Sequence, residues 1–181
     1  TPKPSSAASD VYKRQGKTLG IIGKGSIGMK VGRIAKAFGM NINYFSVRNY
    51  KKTQFLKFLS SLDYLSIHCP LNEKTKDLIT IKELKIMKKN MILINTARGG
   101  IVNENDLTKA LKQKIIAGAG IDVTTSEPPK KSHAYYSILN EANFIWTPHT
   151  AWASNETLQE AINQLIKNIN SFYKSRKRNI V

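Results

Sequence analysis

The sequence predicts an α/β protein, a doubly wound parallel sheet with helices on both faces. Three observations predict it. Short apolar runs recur along the chain, stretches with helical spacing separate most of them, and Gly or Pro stands at several of the junctions. A short run of apolar residues bounded by turn signals reads as a buried strand, and apolar residues three and four apart read as one face of a helix. Strands that alternate with helices imply parallel pairing, because each crossover helix must cover a face of the sheet.

The elements follow in order. Thr18–Ile22 is a buried strand that runs into a glycine turn, and Ser26–Phe38 is a helix with Ile27, Val31, Ile34 and Phe38 at helical period. Gly39 stops that helix, since glycine tolerates the left-handed conformation at a helix end. Asn41–Phe45 is the second strand and Lys52–Ser61 a short helix; Tyr64–His68 is the third strand, ending at Cys69-Pro70. Thr80 opens a helix with Glu83 three residues on, the spacing of a capping box. Met91–Ile94 is a fourth strand, Asn103–Gln113 a helix, Ile115–Ile121 a fifth strand and Phe144–Trp146 a sixth. Ser154–Tyr173 is the last and longest helix, and no internal repeat or low-complexity segment interrupts the pattern.

Composition narrows the class. The chain has 181 residues, enough for one domain with a proper core, and 41% of them are hydrophobic, which excludes a disordered polymer. No apolar run approaches the roughly 20 residues that span a bilayer, so no membrane association is expected. The single cysteine, Cys69, cannot form an internal disulfide, and the start carries no charged-then-apolar signal; a cytoplasmic location is expected. The net charge of +17 is large enough to suggest a nucleic-acid partner. Against that, Lys outnumbers Arg by 23 to 6, and Lys, Asn and Ile, all favoured by A/T-rich codons, make up about a third of the chain. The basic residues are scattered, and the one cluster, Lys174–Arg178, lies in the terminal tail. A solvated basic surface with no nucleic-acid partner is the expectation.

Residues 5–15, Ser-Ser-Ala-Ala-Ser-Asp-Val-Tyr-Lys-Arg-Gln, back-translate with permitted codons into the adapter of a transposon-based sequencing library. Residues 1–15 are therefore expected to be a non-native, disordered leader, with the true reading frame continuing upstream of Gly16.

The glycine turn carries the first chemistry. Gly23-Lys24-Gly25-Ser26-Ile27-Gly28 is G-x-G-x-x-G between a strand and a helix. The first glycine permits the tight turn, the second lets a pyrophosphate approach the backbone, and the third lets helix and strand pack closely. The following helix offers free N–H groups and a partial positive charge to phosphates. This is the fingerprint of a Rossmann-like, dinucleotide-binding fold. The acid that ordinarily grips the ribose hydroxyls about 20 residues on is missing. Ser46 stands there with Arg48 nearby, a pair that leans toward NADP while leaving NAD open. Later strands deliver more: the fourth runs into Asn95-Thr96-Ala97-Arg98-Gly99-Gly100, the fifth into Asp122, the sixth into Thr147-Pro148-His149. An arginine, a carboxylate and an imidazole thus reach the sheet edge that bears the glycine turn, and their joint placement favours an active site.

On these residues, together with His68-Cys69-Pro70-Leu71, Glu127-Pro128 and Thr147-Pro148-His149-Thr150-Ala151-Trp152, the chain resembles the cofactor-binding domain of the D-2-hydroxyacid dehydrogenases from Gly16 to Val181. The run His149–Ser154 looks most like the glycerate (hydroxypyruvate) branch. The resemblance implies an oxidoreductase moving a hydride between NAD or NADP and a small 2-hydroxy or 2-oxo acid. It implies that Arg98 holds the substrate carboxylate and 2-oxo group, that His149 is the acid/base, and that Glu127 hydrogen-bonds His149. Asp122 would bond the nicotinamide carboxamide, and Gly23, Gly25, Ser26, Ile27, Gly28, Ser46, Arg48, Cys69, Pro70, Thr96 and Ala97 would line the cofactor with Arg98 and His149. No metal site is expected. His68 is expected to support its strand end, Cys69 to act through its backbone, and His133, in a polar loop, to be inert.

The family has two domains, and its substrate domain comes mainly from the N-terminal part. Residues 16–153 are expected to form the cofactor domain and 154–181 a C-terminal helix and tail, with the substrate domain mostly missing. Such a chain should fold and bind cofactor with little turnover, because hydride transfer needs a closed, dry site. A homodimer is usual in the family. The competing reading is a dinucleotide-sensing, corepressor-like protein, since the fold serves both.

Overall fold

A computed structural model describes residues 13–179. Six strands, β1 (Thr18–Ile22), β2 (Asn41–Phe45), β3 (Tyr64–Ile67), β4 (Ile92–Asn95), β5 (Gly118–Ile121) and β6 (Phe144–Trp146), form one sheet in the order β2-β1-β3-β4-β5-β6. Every pair is parallel. The chain leaves β1 for β2 on one side and returns to β3 on the other, so the strand order reverses beside β1. Such a reversal opens a crevice at the carboxyl ends of the strands. The helices are α1 (Ser26–Ala37), α2 (Lys52–Ser61), α3 (Ile81–Leu84), α4 (Glu104–Lys112) and α5 (Asn155–Tyr173).

Both faces of the sheet are covered. The larger core joins Ile22, Ile67, Leu93 and Ile121 to Phe55 and Leu59 of α2 and Leu107 and Leu111 of α4. A smaller one on the other face gathers Leu19, Ile21 and Ala35, the last from α1. Alternation along β1 assigns Ile21 to one core and Ile22 to the other, as a pleated strand requires.

The side of α1 that meets the sheet differs from the one its apolar period predicts. Gly28, Gly32 and Ala35 are buried, whereas Ile27 (65% exposed) and Ile34 (59%) face outward and Val31 is half-buried. The cause is close approach: a Cβ on Gly32 would lie 2.1 Å from the Tyr44 hydroxyl, and one on Gly28 would lie 2.1 Å from the Gly23 carbonyl oxygen. Only a small-residue stripe fits there, and it displaces the bulkier stripe to the surface.

Element boundaries also move. β5 begins at Gly118 rather than Ile115, and α3 spans only four residues, although Thr80 and Glu83 do form the capping box. The compact unit that holds the sheet ends at Pro148 and a second begins at His149, five residues before the expected boundary. Of the leader, residues 1–12 lie outside the described residues. In residues 13–15, Arg14 stacks 5.5 Å over the Phe38 ring, and its carbonyl accepts from the Lys17 N–H.

The second unit contains α5, whose cap Ser154 accepts from the Thr157 N–H at 3.2 Å. Its Leu158, Ile162, Leu165, Ile166 and Ile169 are exposed. Among the described residues no helix is long and apolar enough to cross a membrane, and no group of three His, Cys, Asp or Glu side chains could hold a metal.

Candidate functional site

Register builds the site. Phe45, Ile22, Ile67, Asn95, Ile121 and Trp146 pair in succession across the sheet, so all six strands end in one row. The next residues, Ser46, Gly23, His68, Thr96, Asp122 and Thr147, consequently line a single edge in that order. Strands with one direction and one register can place their following loops nowhere else.

The glycine turn fits a pyrophosphate. Gly23 has φ of +103°, and a Cβ there would lie 2.5 Å from the His68 carbonyl oxygen, so the turn admits only glycine. A Cβ on Gly28 would strike the turn itself, which fixes α1 close against it. Gly25 is different: it is the N-cap of α1 in extended backbone, and nothing lies within 4 Å of where its Cβ would stand. No side chain caps α1 and no acid sits in its first turn. The first N–H groups of a helix have no intrahelical partner and carry partial positive charge. Ser26, Ile27 and Gly28 supply them here, beside open space, as an anion requires.

The neighbouring loops are firmly held. The Ser46 hydroxyl accepts from the Arg48 N–H at 3.4 Å and caps a 3-10 turn over Val47–Asn49. His68 is half-buried, and its Nε2 lies 2.8 Å from the hydroxyl of buried Ser66. Its N–H donates to the Ile22 carbonyl at 2.7 Å, and burial lowers its pKa. It supports the strand end, as expected. Cys69 is buried, and burial pushes its thiol up to about 11; its side chain belongs to the core. After Pro70 the chain is closed by fully buried Thr75, whose hydroxyl donates to the Pro70 carbonyl at 2.7 Å and accepts from the Asn72 N–H at 2.8 Å.

Arg98 stands on a turn clamped by buried Asn95. The Asn95 amide donates to the Arg98 carbonyl at 3.0 Å, while its oxygen accepts from the Ala97 N–H at 3.1 Å. Arg98 itself is exposed, with Nη1 donating to the Ala97 carbonyl at 2.6 Å; Thr96 is exposed beside it. Gly99 packs so tightly on the next loop that a Cβ would lie 2.0 Å from the Thr124 carbonyl carbon. That loop carries Glu127, whose Oε1 accepts from the Thr124 N–H at 3.0 Å. Asp122 is buried at the end of β5 and accepts from the Thr147 hydroxyl at 2.5 Å. Gly99 therefore couples the loops of Arg98 and Glu127 mechanically. In the second unit, half-buried His149 takes φ of +54°, a left-handed conformation uncommon for a residue with a Cβ.

His133, expected to be inert in a polar loop, is tied into the structure. Its Nε2 lies 2.8 Å from Oε2 of Glu104, with both side chains largely buried, and its ring stacks on Trp146 at 5.5 Å. Glu104 in turn accepts from the N–H and hydroxyl of Thr125 at 2.7 and 2.8 Å, anchoring the loop that leads to Glu127. The partners lie 29 residues apart, so no local pattern announces the pair.

Comparison with known proteins agrees with this geometry. Residues 4–151 match the profile of the D-isomer specific 2-hydroxyacid dehydrogenase, NAD binding domain; the match starts within the stretch read as a leader. The chain is 42% identical over 175 residues to a glycerate dehydrogenase of Methylorubrum extorquens, covering 94% of this chain and 54% of that protein. It is 33% identical to a hydroxypyruvate reductase of Blautia hydrogenotrophica, covering 92% and 53%. Among solved structures it superposes with TM-score 0.83 and 30% identity on the NAD-complexed D-isomer specific 2-hydroxyacid dehydrogenase of Lactobacillus delbrueckii ssp. bulgaricus, covering 94% of this chain and 57% of that one. The chain thus spans about half the length of these relatives. A parallel sheet whose strand ends align, an uncapped helix beside an open glycine turn, and these matches along nearly the whole chain place the protein in the D-isomer-specific 2-hydroxyacid dehydrogenase family, as its NAD-binding domain.

Proposed function

We propose that this chain is the cofactor-binding half of an oxidoreductase that moves a hydride between NAD(P) and C2 of a small D-2-hydroxy or 2-oxo acid, of the glycerate/hydroxypyruvate kind. The observation that carries the reading is the common strand-end row, which sets the Arg98 turn and buried Asp122 on the edge that bears the glycine turn. A bound dinucleotide supplies the hydride acceptor or donor. The chain's own residues bind, orient and move the proton.

Arg98 receives the substrate carboxylate and 2-oxo oxygen, which a planar guanidinium can bond at two points. Its turn is fixed by Asn95, so the fork starts from a set position. His149, three residues beyond β6, takes the hydroxyl proton in oxidation and returns it to the carbonyl oxygen in reduction. Glu127 is the positioning residue for that imidazole. Asp122 receives the carboxamide of the nicotinamide and so selects the ring face. Gly23, Gly25, Ser26, Ile27 and Gly28 hold the pyrophosphate, with Ser46, Arg48, the backbone of Cys69 and Pro70, Thr96 and Ala97 along the rest. No acid stands at Ser46 to repel a 2′-phosphate, so NADP is admitted as well as NAD. The whole protein works as a homodimer, and outward-facing Ile27 and Ile34 of α1 supply apolar surface for association.

The test is reduction of hydroxypyruvate and glyoxylate by the whole protein with NADH and NADPH. Turnover to the D product is expected, with His149→Gln lowering kcat by about 10²–10⁴-fold. Tight cofactor binding without reduction of any 2-oxo acid would instead identify a sensor.

A further inference from the structure

The acid–base part of the proposed reaction depends on Glu127, and Glu127 stands exposed on the loop after β5. Two of that loop's bonds close on the loop itself. The Thr124 N–H donates to Glu127 Oε1 at 3.0 Å, and the Thr124 hydroxyl donates to the Ser126 carbonyl at 2.9 Å. Bonds of that kind set the shape of a loop but not its place on the body of the protein. Thr125 supplies the place: its N–H and hydroxyl donate to Oε1 and Oε2 of Glu104 at 2.7 and 2.8 Å, across 21 residues of sequence.

Glu104 is the rigid end of this tie. It is the first residue of α4, behind the N-cap Asn103, whose side-chain oxygen accepts from the Asp106 N–H at 3.1 Å. An acid in a first helical turn is ordinary, because the helix end carries partial positive charge. An acid serving the helix alone would keep its carboxylate in water, however. The Glu104 side chain is only 12% exposed, and both of its oxygens accept from groups outside the helix. His133 is the third donor. Its Nδ1 accepts from the Tyr135 N–H at 3.3 Å, so Nε2 carries the proton and donates to Oε2 of Glu104 at 2.8 Å. The same ring stacks on Trp146, three residues before His149 in the chain. On the other side of Thr125 lies the Arg98 turn, where a Cβ on Gly99 would come within 2.4 Å of the Thr125 nitrogen. The loop that carries Glu127 is thus seated between that turn and the start of α4.

We infer that Glu104, oriented by His133, is a positioning residue for Glu127: it fixes the loop at Thr125, and so the place at which the Glu127 carboxylate is offered to the acid/base. The inference rests on the proposed dehydrogenase reading and deepens it. A misplacement of about 1 Å can cost about 10²-fold in rate, so such a support acts on kcat while touching neither substrate nor cofactor.

The test uses the whole protein with hydroxypyruvate and NADH, circular dichroism confirming the fold of each variant. Glu104→Gln keeps the side chain's size but sets an amide N–H against the N–H of either Thr125 or His133. Its kcat should fall about tenfold or more, with KM for NADH within about twofold of the parent. Residues that act as a unit are non-additive, so adding Glu104→Gln to Glu127→Gln should lower kcat by less than about twofold further. Thr125→Val deletes one bond at an exposed residue and should give the same pattern with a fall of about threefold, whereas Thr125→Ser, which keeps the hydroxyl, should match the parent. That pair decides the question if Glu104→Gln does not fold. Parental kcat in the folded variants, parental kcat in Glu127→Gln, or an equal fall with and without Glu127 would overturn the positioning role and leave the dehydrogenase reading standing. A whole protein that binds NADH yet reduces no 2-oxo acid would overturn both.

Discussion

Replacing Gly25 by alanine should separate binding from stability. Its backbone, with φ of −86° and ψ of −173°, is ordinary extended chain, and nothing lies within 4 Å of the added methyl. Restricting the unfolded chain stabilises by about 0.4–1 kcal/mol, and alanine is a poorer N-cap than glycine by a similar amount. The two cancel to within about 0.5 kcal/mol, so Tm should move by no more than about 2 °C. The methyl does fill the space through which phosphate oxygens would reach the Ser26 and Ile27 amides. Each charge-assisted hydrogen bond lost is worth about 1.5–3 kcal/mol, so NADH affinity should fall at least about tenfold. Gly28→Ala is the contrasting case. Its Cβ would start 2.1 Å from the Gly23 oxygen and must withdraw to at least 3.0 Å, moving α1 bodily. Overpacking of that kind costs about 1–3 kcal/mol, so Tm should fall by roughly 3–10 °C as well. Calorimetric Tm paired with NADH titration reads both variants. A Gly25→Ala chain that binds NADH within twofold of the parent would refute the assignment of this turn to the pyrophosphate.

Three further outcomes follow from the structure. His133→Ala removes a bond to a carboxylate and a ring stack from a largely buried position, about 3 kcal/mol together, and Tm should fall by roughly 6–12 °C; a loss under 2 °C would deny the Glu104–His133 pair a structural role. Cys69 should resist a thiol reagent at pH 8 in the folded chain and react on unfolding, because burial holds the thiol up at about 11; rapid labelling of the native chain would contradict that. Burial opposes ionisation of Asp63, but the Thr18 N–H, the Lys88 ammonium at 2.9 Å and Asn90 outweigh it and lower the pKa. A lowered carboxylate contributes stability above its unfolded value of about 3.9 and loses it as pH falls through the folded one. Asp63→Asn should therefore flatten the acid limb of a stability profile below about pH 4 while leaving its shape at pH 6–8 unchanged.

The sheet was legible because each strand is a short apolar run with a turn signal after it, and parallel order follows from the helices between. The edge residues were legible for the same reason: once strands are parallel, whatever follows them shares one edge. The inward face of α1 was not, since hydrophobic periodicity counts large side chains and the sheet here selects small ones, Gly28, Gly32 and Ala35. The Glu104–His133 pair and the Asn95 clamp escaped a reading by spacing because their use depends on loops meeting in space. Thr75 looked like any loop threonine, and only burial reveals it as the fastener of the segment after Pro70.

The central claim, that the glycine turn and strand-end row bind an adenine dinucleotide, is tested most directly by titrating the 181-residue chain with NADH and NADPH in a calorimeter. The account predicts saturable binding of one dinucleotide per chain. A chain shown by circular dichroism to be folded, yet releasing no heat of binding with either cofactor across several temperatures, would contradict it.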